Sequence, residues 1–327
     1  MGAFRHWRGA RTLLLVALYA VLSAPALAQS VAGGRAFITN QGANTVSVID
    51  LATDTVVASI GVGADPAGVA VDARRRLVFV TSAKSAELTA IDADTAEVVN
   101  VVPVGLGPLG IASDAATGRV YVADWHGDSI HIFDAMSMTP RGQYKTGRAP
   151  SGLALSPDGR LLVVANRDDD EVQVISTVDG LSIGRVKVGK APFGVTISGD
   201  GRRAFVANVQ SHDVTVVDLV GLQAAQTLTV GPMPYAIVHD PMRERLFVTN
   251  QEDSTVSVFD LVERAEIKRI AVGDYPEGIG FDARSRRIYV ANWFSNSVSV
   301  IDADSLEVVG EIGTADGSRA FGQFILY

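Results

Sequence analysis

The sequence predicts an all-β fold, a seven-bladed β-propeller with four antiparallel strands per blade, on three observations. Residues recur at an unbroken 42-residue period, each period holds four short strand-forming runs, and the repeats open on one strand of the period and finish on another. A unit of roughly 40–45 residues with four strands is the signature of a propeller blade.

The period is read from three sets of positions. The aromatic or branched residue of the first run falls at Phe37, Phe79, Tyr121, Val163, Phe205, Phe247 and Tyr289, every interval being 42. The acid closing the next run falls at Asp50, Asp92, Asp134, Asp218, Asp260 and Asp302, with Ser176 in the fourth slot. A proline opens the last run at Pro66, Pro108, Pro150, Pro192, Pro234 and Pro276, and Ser318 takes the seventh place.

The second unit shows the four runs in order: "LVFVT" from Leu77, "LTAID" from Leu88, "EVVNVV" from Glu97 and "GIAS" from Gly110. Their length, β-branched content and bounding Gly, Pro, Asp and Asn are those of strands, and no window shows helical spacing. In blade order they are the second, third, outermost and innermost strands. Asn40, Asn166, Asn208, Asn250 and Asn292 end the second strand and are expected to hold turn amides, as are the aspartates that close the third. Gly68, Gly110, Gly152, Gly194 and Gly278 follow the prolines by two and fit the crowded start of an innermost strand near the axis. The repeats open on a second strand, "RAFITN", and finish on an innermost one, "AFGQFILY". The C-terminal strand is therefore expected to complete the blade of residues 35–60, closing the ring and removing two open edges.

Residues 1–28 precede the repeats. Arg5, Arg8 and Arg11 lead into "TLLLVALYAVLSAPALA", which ends on the small residues Ala26 and Ala28, the pattern of a secretory signal peptide. The remainder, residues 29–327, is expected to be one propeller domain, exported and periplasmic or extracellular in a bacterium, without a membrane span. It has no cysteine, so its stability must come from its core. Without the three arginines of the leader, 25 basic residues face 36 acidic ones, a net charge of −11 that opposes a phosphate backbone as general partner.

The run "YVAN…VSVID…VG.(.)P.G(I/V)A…D(G/A)", repeated from Arg35 to the C-terminus, resembles the YVTN-repeat β-propeller family, and "SRAFGQFI" (318–325) is similar to the closing segment of its members. The resemblance implies a seven-bladed propeller and a bacterial exported or surface location. It implies little about activity.

Function is sought where the repeat is broken. Residues 287–309, "RIYVANWFSNSVSVIDADSLEVV", restate residues 35–57, "RAFITNQGANTVSVIDLATDTVV", but carry Trp293 and Phe294 where the earlier copy has Gln41 and Gly42. Around the ring the Trp293 slot reads Gln41, Ala83, Trp125, Arg167, Val209, Gln251 and Trp293. The slot after the proline reads Ala67, Leu109, Ser151, Phe193, Tyr235, Glu277 and Arg319. Both slots belong to loops of one face, and variable loops on a rigid scaffold are where binding is built. Trp125, Arg167, Phe193, Tyr235, Glu277, Trp293 and Arg319 are accordingly the expected binding residues, with the aromatics forming an exposed mouth. No haem, zinc-protease or nucleophile-elbow motif is present, and the mature histidines (His126, His131, His212, His239) do not cluster in sequence. No metal or other cofactor is expected. The acidic run Asp168–Glu171 lacks calcium-loop spacing, and the arginine groups at 73–76 and 283–287 read as charged turns on the opposite face.

The leading expectation is a non-catalytic, monomeric binding scaffold for a small molecule, peptide or protein partner. The alternative is a propeller enzyme (lactonase, lyase or hydrolase) drawing on Glu277, Arg319, His126 and His239. Nucleic acid stacked on Trp125 and Trp293, with Lys84, Arg167 and Lys190 at phosphates, comes third because of the net charge.

Overall fold

The computed structural model describes residues 33–327 and the first two of the chain. The expected signal segment therefore lies, but for those two, outside the described residues. The 42-residue units fold into seven antiparallel sheets, and the single helical turn among the described residues is the 3-10 turn Arg167–Asp169. Blade 1 holds Arg35–Asn40, Thr45–Asp50 and Thr55–Gly61. Blades 2 to 7 begin at the successive prolines, as in Pro66–Asp72, Leu77–Ser82, Glu87–Asp92 and Glu97–Pro103 of blade 2.

Burial explains the composition of each strand. Second strands are buried at every residue, as in Leu77–Ser82, or at all but the first, as in Arg35–Asn40, because each lies between two blades, and a strand covered on both faces reads as a continuous apolar run. The outermost strand Glu97–Pro103 is exposed at most positions and tolerates Glu and Asn. Phe37, Phe79, Tyr121, Phe205, Phe247 and Tyr289 are fully buried between neighbouring blades. Each contributes on the order of 2–3 kcal/mol of burial.

The ring closes as expected, with an addition. Ile325–Leu326 pairs antiparallel with Ala36 and Arg35, completing the four strands of blade 1. Before that, Phe321–Gly322 leaves the blade and runs parallel to Gly68–Val69 of blade 2, making that sheet five-stranded. The last innermost strand is thus broken into two short pieces, and the part between them enters the channel.

The repeated turn residues divide into two kinds. The third-strand aspartates act as expected: Asp50 Oδ1 accepts the amide of Ala52 at 2.8 Å, and Asp302 Oδ1 that of Ser305 at 2.7 Å. The asparagines do not. Asn40 Nδ2 donates across the hairpin to Thr45 Oγ1 (3.1 Å) and Ser47 Oγ (2.9 Å), and Asn208, Asn250 and Asn292 repeat that bridge. A buried amide must find partners, and the register that sets Asn40 opposite Thr45 puts side-chain acceptors nearer than turn amides. Asp124 keeps the turn role, accepting the amides of Leu106 and Gly107.

Candidate functional site: the loop face and the channel

The slot after each proline owes its direction to a bulge. Proline is the first residue of the innermost strand, where its missing N–H is harmless, and pairing resumes three residues on: Pro66 faces Ser82, then Val69 faces Val80. The glycine of the bulge lies against the next blade. A Cβ on Gly68, Gly110, Gly152 or Gly194 would stand 2.0–2.2 Å from that blade's carbonyl, so only glycine fits. Where Thr81 is available it fastens the crossing, accepting from Gly68 N (3.0 Å) and donating to Leu109 O (2.7 Å). The residue between proline and glycine is re-aimed toward the axis, a common use of bulges beside functional sites.

All seven expected site residues belong to one connected network on the expected face. Phe193 stacks on Tyr235 at 4.2 Å between ring centroids, Phe321 from the C-terminal segment packs against both, and Trp125 lies 6.0 Å from Phe193. Arg319 is ion-paired with Glu277 through Nε and donates from Nη2 to Tyr235 Oη at 2.8 Å. Gln251 Nε2 gives Glu277 a further bond at 3.0 Å. The guanidinium of Arg319 sits 5.0 Å from the Trp293 ring, and that of Arg167 sits 5.5 Å from the Trp125 ring.

The expected open aromatic mouth is instead a plug. Phe193, Tyr235 and Glu277 are 7%, 6% and 1% exposed, and both tryptophans are half-buried. Bulges converging on one axis bring these large side chains into contact, and Phe321 fills the space between them. Burial pushes the Glu277 carboxyl up against the opposing pull of Arg319. Burial works against the charge of Arg319 too, but Glu277 and Tyr235 outweigh it and hold its pKa above the ordinary value.

What remains open on this face is a cluster that the sequence flagged only in part. Trp293 stacks on Phe294 (4.9 Å, 25°), and Tyr275 packs against both at 5.6 and 4.9 Å. Phe294 is 62% exposed. Trp293 and Phe294 border a groove of about 320 Å³ that Gln41, Gly42, Asp65 and Asp316 help to complete, so the two near-identical repeats face each other across the seam of the ring. Neither carboxylate is in an ion pair among the described residues. Tyr275 was missed from sequence, and its backbone has φ 56°, a left-handed conformation that costs a bulky residue on the order of 1 kcal/mol or more. The signal was the slot before the proline, which elsewhere reads Asp65, Gly107, Ala149, Ala191, Met233 and Gly317.

Other candidates resolve into structural roles. His212 Nδ1 accepts the amide of Met233 (3.0 Å), as Asn44 and Asp128 do for residues 21 further on. His131 lies between Gln143 and Asp124. Within the acidic run, Asp168, Asp169 and Glu171 pair with Arg167, Arg148 and Arg185, and Asp170 accepts the amide of Ala191. Of the arginine turns, Arg75, Arg76, Arg286 and Arg287 are all ion-paired. The four enzyme candidates do not converge, since His126 is exposed in a loop and His239 lines the channel beyond the plug.

His239 gives a pH prediction. Its side chain is 4% exposed, its Nε2 has no hydrogen-bond partner among the described residues, and burial lowers its pKa below the ordinary 6.5, against a weaker opposing effect of Glu244. The unfolded chain then takes up the proton first, so the stability due to neutral His239 is complete above about pH 6.5 and is lost as pH falls toward the folded-state pKa. Urea midpoints should drop between pH 7.5 and 5.5, and His239→Leu should flatten that part of the profile. An unchanged slope in the variant would refute the assignment.

The family described as "Lactonase, 7-bladed beta-propeller" matches residues 133–221. PE-PGRS family protein PE_PGRS18 of Mycobacterium tuberculosis is 62% identical over 39 residues, which are 12% of this chain and 8% of that protein. Among solved structures, hydrazine synthase of Kuenenia stuttgartiensis superposes with TM-score 0.73 at 21% identity, covering 82% of this chain and 92% of that one. A functionally unknown protein from Desulfotomaculum acetoxidans reaches 0.76 at 16% identity, covering 88% and 99%. Dihydro-heme d1 dehydrogenase NirN in complex with DHE reaches 0.67 at 18% identity, covering 86% of this chain and 63% of that one. At these identities, what the solved structures share with this chain is the propeller fold.

Proposed function

We propose that this protein is an exported binding scaffold, periplasmic or extracellular in a bacterium, whose loop face takes a cationic group of a peptide or protein partner. One observation carries the reading: the half-buried Trp293 and the exposed Phe294, stacked on each other and backed by Tyr275, border a groove that also holds Asp65 and Asp316, neither of them ion-paired among the described residues. Aromatic faces attract ammonium and guanidinium groups, by about 0.5–2 kcal/mol, and neighbouring carboxylates add to that attraction.

Trp125 and Trp293 are the only tryptophans after residue 28, so intrinsic fluorescence reports on this face. A Lys/Gly hexapeptide should change that emission at low salt, an equivalent Glu/Gly peptide should not, and Trp293→Ala with Phe294→Ala should weaken binding at least tenfold. The exposed Arg74 and Met242, each changed to Ser, serve as opposite-face controls. Equal responses to the two peptides would dismiss the reading.

Tyr275→Gly provides a further check. Relief of the left-handed strain and the added chain entropy of glycine are each about 1 kcal/mol and oppose one another, so stability should stay within about 1 kcal/mol of wild type while peptide binding falls. A large loss of stability would make Tyr275 a packing residue.

The alternative, a propeller enzyme of the lactonase, lyase or hydrolase kind with its site at the channel mouth, is favoured by the family match over residues 133–221. Turnover of a lactone panel that is abolished by Glu277→Gln, with the fold intact, would put that reading first.

A further inference from the structure

Beyond the plug the channel widens into a chamber of about 560 Å³ at the end of the ring opposite the loop face. That volume is in the range of small-molecule sites. Innermost strands of blades 3 to 7 form its wall, and residues 321–327 form the rest. The wall mixes apolar side chains such as Ile111, Leu153, Ile237, Ile279 and Phe324 with the polar Ser113, Thr196 and His239 and with main-chain groups. Thr196 is spent, donating to Ile237 O at 2.6 Å.

Among the described residues Ser113 Oγ, His239 Nε2 and Tyr327 Oη of the lining are buried without hydrogen-bond partners, and two further polar groups stand exposed and uncommitted. Gln323 is exposed in the segment that enters the channel, and its side chain makes no hydrogen bond with the described residues. Arg284 stands at the chamber's rim, exposed, with its guanidinium 3.7 Å from the centre of the Tyr327 ring. Its neighbours Arg286 and Arg287 both hold carboxylates, and the main-chain oxygen of Tyr327 is taken by Arg76 at 2.6 Å. Among the described residues Arg284 has no such partner, in a chain with an excess of acids.

We infer that this chamber is a second binding site, for a small monocarboxylate with an aliphatic body: the chain lies against the apolar side chains of the wall and the carboxylate meets Arg284, with Gln323 able to bond it. A cation held over a ring and free of counter-ions is oriented for an incoming anion, and guanidinium–carboxylate geometry allows two parallel bonds. Below the rim Ile111, Leu153, Ile237, Ile279 and Phe324 offer contact to a hydrocarbon chain. The site is separate from the loop-face groove and does not depend on it.

Calorimetric titration of the full mature chain with sodium octanoate and with octan-1-ol tests the proposal. Octanoate should bind once per chain and at least tenfold more tightly than the alcohol. Arg284→Ala should bring octanoate to the level of octanol and leave octanol unchanged. Ala154→Phe, which fills the chamber from the blade 4 wall, should weaken both at least tenfold while loop-face peptide binding persists. Gln323→Phe blocks the chamber from the C-terminal segment and replaces Ala154→Phe should that variant fail to fold. The proposal is overturned if octanoate at millimolar concentration does not bind, if both filled variants bind it as wild type does, or if Arg284→Ala keeps the preference for the carboxylate.

Discussion

Removal of the last eight residues, 320–327, is expected to unfold the protein or lower its denaturant midpoint more than any single substitution. Phe321, Phe324 and Leu326 are buried in this segment, worth about 5–9 kcal/mol at 1.5–3 kcal/mol each. It also supplies Phe324 O to the amide of Phe37 (2.9 Å) and Ala320 N to Thr39 Oγ1 (2.8 Å). A domain holds about 5–15 kcal/mol in total, so the loss is of the same size as the whole. The damage reaches both sides of the seam, because the segment pairs with blade 1 and, through Phe321–Gly322, with blade 2. Phe324→Ala tests the same closure more gently, with an expected cost of about 3–5 kcal/mol. If the truncated chain keeps the full-length midpoint in urea, these contacts do not hold the ring closed.

The Glu277–Arg319 pair carries the second large effect. Either single change to alanine leaves a buried charge without its partner and is expected to cost about 3–5 kcal/mol. Arg319→Ala should be the more disruptive of the two, since Arg319 also donates to Tyr235 and lies over Trp293. Replacing both by apolar groups, Glu277→Leu with Arg319→Met, removes the desolvation penalty along with the attraction and should recover most of the stability. A thermodynamic cycle in urea measures the coupling directly. Additive single effects would show that the pair does not act as a unit, and the plug would then rest on its aromatic contacts alone.

These two predictions differ in how far the sequence reached them. Closure was legible, because the repeats open on a second strand and finish on an innermost one, and a ring leaves one way to join them. The detour of Phe321–Gly322 to blade 2 was not, because nothing local in "SRAFGQFI" distinguishes a straight edge strand from one broken by its neighbours. Glu277 and Arg319 are legible as breaks in the repeat, but their pairing joins residues 42 apart in the chain, beyond the reach of any local pattern.

Period, strand order, blade number and the identity of the variable slots follow from the chain alone, since they rest on local physics: alternation, turn chemistry and spacing that each 42-residue unit repeats. Which variable residues are buried was decided only in three dimensions. Arg319 and Tyr235 touch across 84 residues, and Phe321 closes over Phe193 from the far end of the chain. Convergence on a common axis makes neighbours of residues that no window of sequence holds together. It turned the expected mouth into a plug, left Tyr275, Trp293 and Phe294 at the surface, and opened the chamber on the other side.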